Sequence, residues 1–337
     1  MNYSEIISQL KQKKYAPVYF LYGDEAYFID KISDYIEKNA IAEHERDFNQ
    51  TIFYGKDSKV EHIIETCKRF PMMAEKQVVL VKEAHHLSKY IADFESYFNN
   101  PQPTTILVIC YKYKKPDKRT SFGKMVTKKT VNFNSELIKD YKLPEWIGQC
   151  VSANKFNISP KNTHLLAEYL GNDLGKIEKE IEKLKVLLPS GSEIDSKAIE
   201  EHIGISKEYN VFELQTAIGT KNMEKAARII QNFSKNEKAH PLVMTIGSLY
   251  SYFTKVCIAQ FSSNKSNDQA LAREIGTSPY FLKEYKVAIR NYSAVKLVKI
   301  IGYLREYDLK SKGVDFNNAY LHEGELMKEL VWKILHV

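Results

Sequence analysis

Val18-Tyr19-Phe20-Leu21-Tyr22-Gly23-Asp24-Glu25-Ala26-Tyr27-Phe28-Ile29-Asp30 is the stretch on which the fold turns. Its first five residues are apolar or aromatic without alternation, the pattern of a parallel strand covered on both faces. Pro17 closes what comes before, a short helix expected over 5–13 with Ser4 as its cap. Beyond Gly23, residues 24–39 have helical spacing, with Ile29, Ile32, Tyr35 and Ile36 on one side. A strand that runs through a glycine into a helix is where a nucleotide-driven α/β domain builds its phosphate cradle. That cradle requires G-x-x-x-x-G-K-[ST]: glycines let backbone N–H groups approach the phosphates, the lysine pairs with their charge and the hydroxyl holds magnesium. Here Gly23 holds the first position, but Phe28, Ile29 and Asp30 stand at the glycine, lysine and hydroxyl positions. Asp24, Glu25 and Asp30 repel a triphosphate and Phe28 obstructs it. The layout is that of a nucleotide-binding domain; the chemistry for hydrolysing ATP is missing.

Outward from this stretch, strands are expected over 48–54, 77–81, 105–110 and 131–133, with helices over 60–67 and 87–98 between them. Alternation of this kind predicts a parallel sheet with helices on its faces. After about residue 140 the strand signal stops. Helices are expected over 144–155, 160–170, 173–187 and 196–203, the last capped by Asp195, with a break at Pro189-Ser190-Gly191-Ser192. From Tyr209 onward the periodicity is helical throughout: 211–220, 223–232, 241–261, 268–275, 279–291, 294–309 and 324–335. The expected domains are an α/β domain over 1–140, a small helical domain over 141–206 and a larger helical domain over 207–337.

The 337 residues, 44% hydrophobic and 27% charged, have the composition of an ordinary soluble globular protein. No apolar run approaches the ~18 residues of a membrane span, and residues 1–14 lack the apolar stretch of a signal peptide. A cytoplasmic protein with no membrane partner is expected. The net charge is +7, and most of the excess lies after residue 205, where 19 Lys and Arg face 13 Asp and Glu. This is compatible with a nucleic-acid partner without requiring one. Cys67, Cys110, Cys150 and Cys257 are far apart and form no zinc pattern, so reduced thiols are expected. His85-His86 lacks a third ligand, and Ser121-Phe122-Gly123-Lys124 matches S-x-x-K only as four letters in a basic loop. No cofactor, metal site or catalytic residue is expected.

Two stretches have the character of binding sites. Phe70-Pro71-Met72-Met73 is an apolar run at a helix end, bracketed by Lys68-Arg69 and Glu75-Lys76. Left exposed, such a run marks a partner site; turned inward, the two methionines pack under the sheet. Tyr111 to Arg119 interleaves aromatics with Lys112, Lys114, Lys115, Lys118 and Arg119. Cations on phosphates and tyrosines on bases fit a DNA contact; a solvated loop at a strand end has the same composition.

Several of these segments resemble the bacterial DNA polymerase III delta subunit family. They are 18–25 with Tyr27, Lys115-Pro116-Asp117-Lys118-Arg119, Leu170-Gly171-Asn172-Asp173-Leu174 with Ile177 to Leu184, Val211-Phe212-Glu213-Leu214 with Ala217-Ile218, and His240-Pro241-Leu242. The resemblance implies an AAA+/RecA-like first domain with a degenerate phosphate loop, a small helical lid and a C-terminal helical collar. It implies a clamp-loader subunit that binds the sliding clamp and opens it for loading onto primed DNA. The collar would join ATPase (gamma/tau-type) and delta-prime subunits in a five-subunit ring, within a DNA-directed DNA polymerase holoenzyme. Met72 and Met73 fall at the family's two adjacent apolar anchor positions, where a leucine and an aromatic residue are more usual; Phe70 and Pro71 adjoin them. Asn172-Asp173-Leu174 leads into Gly175, where ATP-using relatives carry an arginine, and their Ser-Arg-Cys motif is absent. An active AAA+ ATPase and a stand-alone DNA-binding protein are the alternative readings. The first binds nucleotide; the second binds DNA without partners and with a steep salt dependence.

Overall fold

The computed structural model describes residues 1–206, 209–277, 279–314 and 322–337. The chain forms two compact units, Met1–Ile138 and Lys139–Val337.

In the first unit, α1 (Tyr3–Lys11) starts two residues earlier than expected. Its cap is Asn2, whose side chain accepts from the Glu5 N–H while the Glu5 carboxylate accepts the Asn2 N–H, both at 2.9 Å. This reciprocal pair satisfies two donors where Ser4 would satisfy one. β1 (Val18–Gly23) is buried at all six positions. α2 (Ala26–Asn39) follows, capped by the Glu25 carboxylate on the Tyr27 N–H. The expected strand over 48–54 begins later, because α3 (Arg46–Asn49) is a helical turn and only β2 (Gln50–Tyr54) is extended. Next come α4 (Val60–Cys67), β3 (Gln77–Lys82), α5 (Glu95–Asn99), β4 (Thr105–Lys112), α6 (Ser121–Lys129) and β5 (Val131–Ser135).

Two expectations fail here. The helix over 87–98 is broken into 3-10 turns at Ala84–Leu87 and Ile91–Phe94 ahead of α5. Leu87, Ile91, Phe94 and Phe98 are all buried, so tertiary burial satisfies the helical spacing without a continuous helix. The basic loop around Ser121 is instead the first turn of α6, capped by Thr120. Its lysines hide the buried pair Phe122 and Val126, spaced one turn apart.

The five strands are parallel in the order β2-β3-β4-β1-β5. Alternation along β1 sends Val18, Phe20 and Tyr22 to one face and Tyr19 and Leu21 to the other. The leftward crossing from β1 to β2 carries α2 on the Tyr19 face; α4, α5 and α6, which serve the rightward crossings, lie on the Phe20 face. Right-handed crossovers in opposite directions require opposite faces.

The second unit contains α7 (Leu143–Ala153), β6 (Asn157–Ile158), α8 (Pro160–Leu170), α9 (Leu174–Leu187), β7 (Glu193–Ile194) and α10 (Ser196–Ile203). Then come α11 (Val211–Gly219), α12 (Met223–Lys235), α13 (Leu242–Phe261), α14 (Asp268–Ile275), α15 (Leu282–Asn291), α16 (Ala294–Ser311) and α17 (Glu323–Leu335). The strand signal does not vanish entirely, since β6 and β7 pair in parallel. Two residues are too few to write a period of two. By length and composition α13 is apolar enough to cross a membrane. One side of it is nonetheless a core face: Leu242, Ile246, Leu249, Phe253 and Val256 pack with Leu297, Ile300, Leu304 and Leu330.

Candidate functional site

Ligands of open parallel sheets sit beyond the carboxyl ends of the strands, where the crossings reverse direction. That point is the end of β1, between β4 and β5, and the chain has closed it. Gly23 adopts φ +125, and a Cβ there would stand 2.2 Å from the Ser135 carbonyl oxygen. The Glu25 N–H donates to that oxygen at 3.1 Å, and the Ser135 hydroxyl donates to the Glu25 carbonyl at 2.6 Å. The turn is thus joined to β5 and is no open cradle. Asp30 binds Lys112 Nζ at 2.6 Å, and Asp24 binds Lys115 Nζ at 2.7 Å. The hydrogen bond from Lys115 to Asp24 raises the lysine's pKa. Ile29 is buried, and the Phe28 ring packs on Tyr3 at 4.9 Å.

The basic stretch is largely occupied with this work. Besides Lys112 and Lys115, Lys114 donates to the Ser88 hydroxyl at 2.6 Å and Arg119 holds Asp117 at 2.8 Å. The Arg119 hydrogen bonds keep the Asp117 carboxyl below the ordinary aspartate range. Lys118 is exposed.

The loop after α4 is built in the opposite way. Phe70 is 79% exposed, Met72 59% and Met73 98%, while Pro71 is half-buried. Of the two sequence readings for the methionines, packing under the sheet is excluded. Beneath them lies a row of polar residues at the amino ends of three adjacent strands. Gln77, buried at the start of β3, donates from Nε2 to the Arg69 carbonyl at 2.5 Å and to Thr105 Oγ1 at 2.8 Å. Thr105, its register partner at the start of β4, donates to the Cys67 carbonyl at 2.8 Å. Asn49, buried just before β2, accepts from the Met72 N–H at 2.6 Å and donates to the Met72 carbonyl at 2.9 Å. Met73 then takes a left-handed φ of +52, which costs a side-chain-bearing residue ~1–2 kcal/mol. The result is a constrained loop with apolar side chains in water. Sequence reasoning found Phe70, Pro71, Met72 and Met73 but not Asn49, Gln77 or Thr105. Their only trace is a polar residue at the entrance of an apolar strand.

The remaining motifs are structural. Asp173 caps α9 by accepting from the Lys176 N–H at 2.9 Å. Burial raises the thiol of Cys67, and that of Cys110 to about 11. His86 lies 3.9 Å from Glu83, but among the described residues no group of three or more His, Cys, Asp or Glu gathers as a metal would need.

Residues 19–136 match the family model for the DNA polymerase III delta subunit, and residues 208–328 match the model for the C-terminal domain of the same subunit. The chain belongs to the DNA polymerase III delta subunit family. It is 22% identical over 318 residues to the DNA polymerase III subunit delta of Bacillus subtilis (strain 168), covering 91% of each chain. Its fold is that of the Bacillus subtilis DNA clamp loader delta protein, with a TM-score of 0.60 and 20% identity over 99% of this chain and 100% of the other. As a delta family member the chain is a component of DNA polymerase III.

Proposed function

We propose that this delta-family chain binds the sliding clamp through Met72 and Met73 and opens one interface of the ring for loading onto primed DNA, without hydrolysing ATP. The observation that carries this reading is the exposed methionine pair on a loop held from beneath by buried amides. Apolar anchors that enter a pocket dominate binding energy, methionine adapts to irregular pockets, and a constrained loop loses little entropy on docking. A clamp that fits this loop better when open than when closed has its equilibrium shifted by that difference in affinity. The welded β1–α2 turn supports the absence of hydrolysis, because Phe28, Ile29 and Asp30 occupy the places of phosphate-binding groups.

The remaining roles follow the family. Residues 141–206 serve as the lid and 207–337 as the collar, which joins gamma/tau-type ATPase and delta-prime subunits in a five-subunit ring in the cytoplasm. Exposed apolar side chains on two mutually packed helices support the collar role: Val243, Tyr250 and Phe261 on α13, Val295 and Val298 on α16. In a DNA contact Lys112, Lys114, Lys115 and Arg119 exchange internal partners for phosphates, and Lys118 adds a further exposed cation.

The double variant Met72→Ala, Met73→Ala tests the reading. Clamp binding, measured by surface plasmon resonance, should weaken at least ~30-fold, with the melting temperature and loader assembly unchanged. Unchanged clamp affinity would sink the anchor assignment. Calorimetry with ATP and magnesium should show no saturable heat. The full-length variant Tyr250→Asp, Val298→Asp should lose co-elution with the other loader subunits while still binding the clamp.

A further inference from the structure

The residue that holds the Met72 backbone, Asn49, follows an exposed aromatic residue from another part of the chain. Phe48, on the last turn of α3, is 73% exposed, and the next residue, Asn49, is only 3% exposed. The Asn49 carboxamide spends both its ends on the backbone of Met72, and its Nδ2 also reaches the Glu45 carbonyl at 3.1 Å. It therefore ties the α3 turn to a loop 23 residues further along the chain. One backbone step is about 3.8 Å, so Phe48 stands beside the residue that grips Met72. An aromatic ring left in water on a four-residue turn contributes nothing to the core of the unit. Its apolar area is worth burying only against a partner.

We propose that the clamp-binding surface is bipartite: Phe48 is a second apolar anchor, and Asn49 is the positioning residue that holds Met72 and Met73 in register with it. The proposal rests on the reading of the 70–73 loop as the clamp anchor. Continuity names the sliding clamp as the occupant, because a body that seats on Met72 meets the turn tied to Met72. The carboxamide suits the task because it donates and accepts at once, as a neighbouring strand would. It fixes the residue immediately before left-handed Met73. Without it, relaxed loop conformations compete with the docking one, and binding must reorder them.

The test uses the full-length protein and the sliding clamp of the same organism, with affinity and melting temperature measured on each variant. Phe48→Ala should weaken clamp binding ~10-fold with an unchanged melting temperature. Asn49→Ala should cost ~5–10-fold in the native background but less than ~2-fold when Met72 and Met73 are already alanine, because its effect passes through them. Asn49→Asp keeps the acceptor for the Met72 N–H and loses the donors. It should fall between Asn49→Ala and the native protein, and it covers the case in which the alanine variant folds poorly. If the methionine double variant alone leaves affinity intact, the loop reading fails and this proposal falls with it. If that variant weakens binding but Phe48→Ala stays within ~2-fold of native, the loop reading stands and the bipartite anchor is overturned. A Phe48→Ala defect in loader assembly with native clamp affinity would likewise overturn it, assigning the ring to another loader component. An Asn49→Ala loss that persists undiminished without the methionines would make Asn49 merely structural.

Discussion

The β1–α2 turn and the loop after α4 leave opposite ends of one parallel sheet. At the carboxyl ends, Gly23 lies against Ser135 and the cations Lys112 and Lys115 are held by Asp30 and Asp24. At the amino ends, Asn49, Gln77 and Thr105 hold a backbone whose apolar side chains face water. In the first region charged side chains neutralise one another. In the second, polar side chains are spent on the loop's own backbone, so that apolar ones remain available. A parallel sheet offers two ends, and here the carboxyl end carries hydrogen bonds and ion pairs within the chain while the loop at the amino end keeps its apolar side chains in water.

Three substitutions probe this contrast. The largest effect belongs to the crevice. Gly23→Ala places a Cβ 2.2 Å from a carbonyl oxygen at a φ that side-chain-bearing residues avoid. It should destabilise the protein by more than ~3 kcal/mol in urea unfolding. A loss below ~1 kcal/mol would mean that the turn is not joined to β5.

The intermediate effect belongs to the loop and separates function from stability. Met73→Gly relieves a left-handed residue and removes a side chain that is 98% exposed. Relief of ~1–2 kcal/mol is offset by glycine's greater chain entropy, so stability should hold or rise by up to ~1 kcal/mol. Clamp affinity should nevertheless fall ~10-fold. A variant that loses stability would show that Met73 packs on its own chain.

The smallest effect is expected at Asp30→Asn. The Asp30 side chain is about half exposed, and ion pairs of that kind contribute ~1 kcal/mol or less. Denaturant unfolding should shift by no more than that, and the variant should gain no affinity for ATP, since Phe28 and Ile29 still occupy the phosphate site. Saturable ATP binding by this variant would show that Asp30 alone had kept the crevice closed.

The sheet is legible in the amino-acid sequence. A strand covered on both faces writes an unbroken apolar run, so β1, β3 and β4 could be read at 18–22, 77–81 and 105–110. The cap Asp195 is legible too, since a cap bonds to a backbone N–H only three residues away, whereas Asp173, expected as the first residue of its helix, is the cap of α9. The departure from the G-x-x-x-x-G-K-[ST] pattern is read from Phe28, Ile29 and Asp30 alone, because it depends on the identity of those residues and not on their surroundings. Met72 and Met73 needed the family resemblance in addition, since an apolar run beside a helix end reads equally as core or as surface. Packing between distant segments is what turns them to water, breaks 84–99 and makes 121–129 a helix, because burial by remote side chains outweighs local spacing. The same packing supplies the support of the loop. Asn49 reaches Met72 across 23 residues, Gln77 reaches Thr105 across 28, and Thr105 reaches Cys67 across 38. Hydrogen bonds over such separations have no period in the chain, so they form no pattern until the strands that carry them lie side by side.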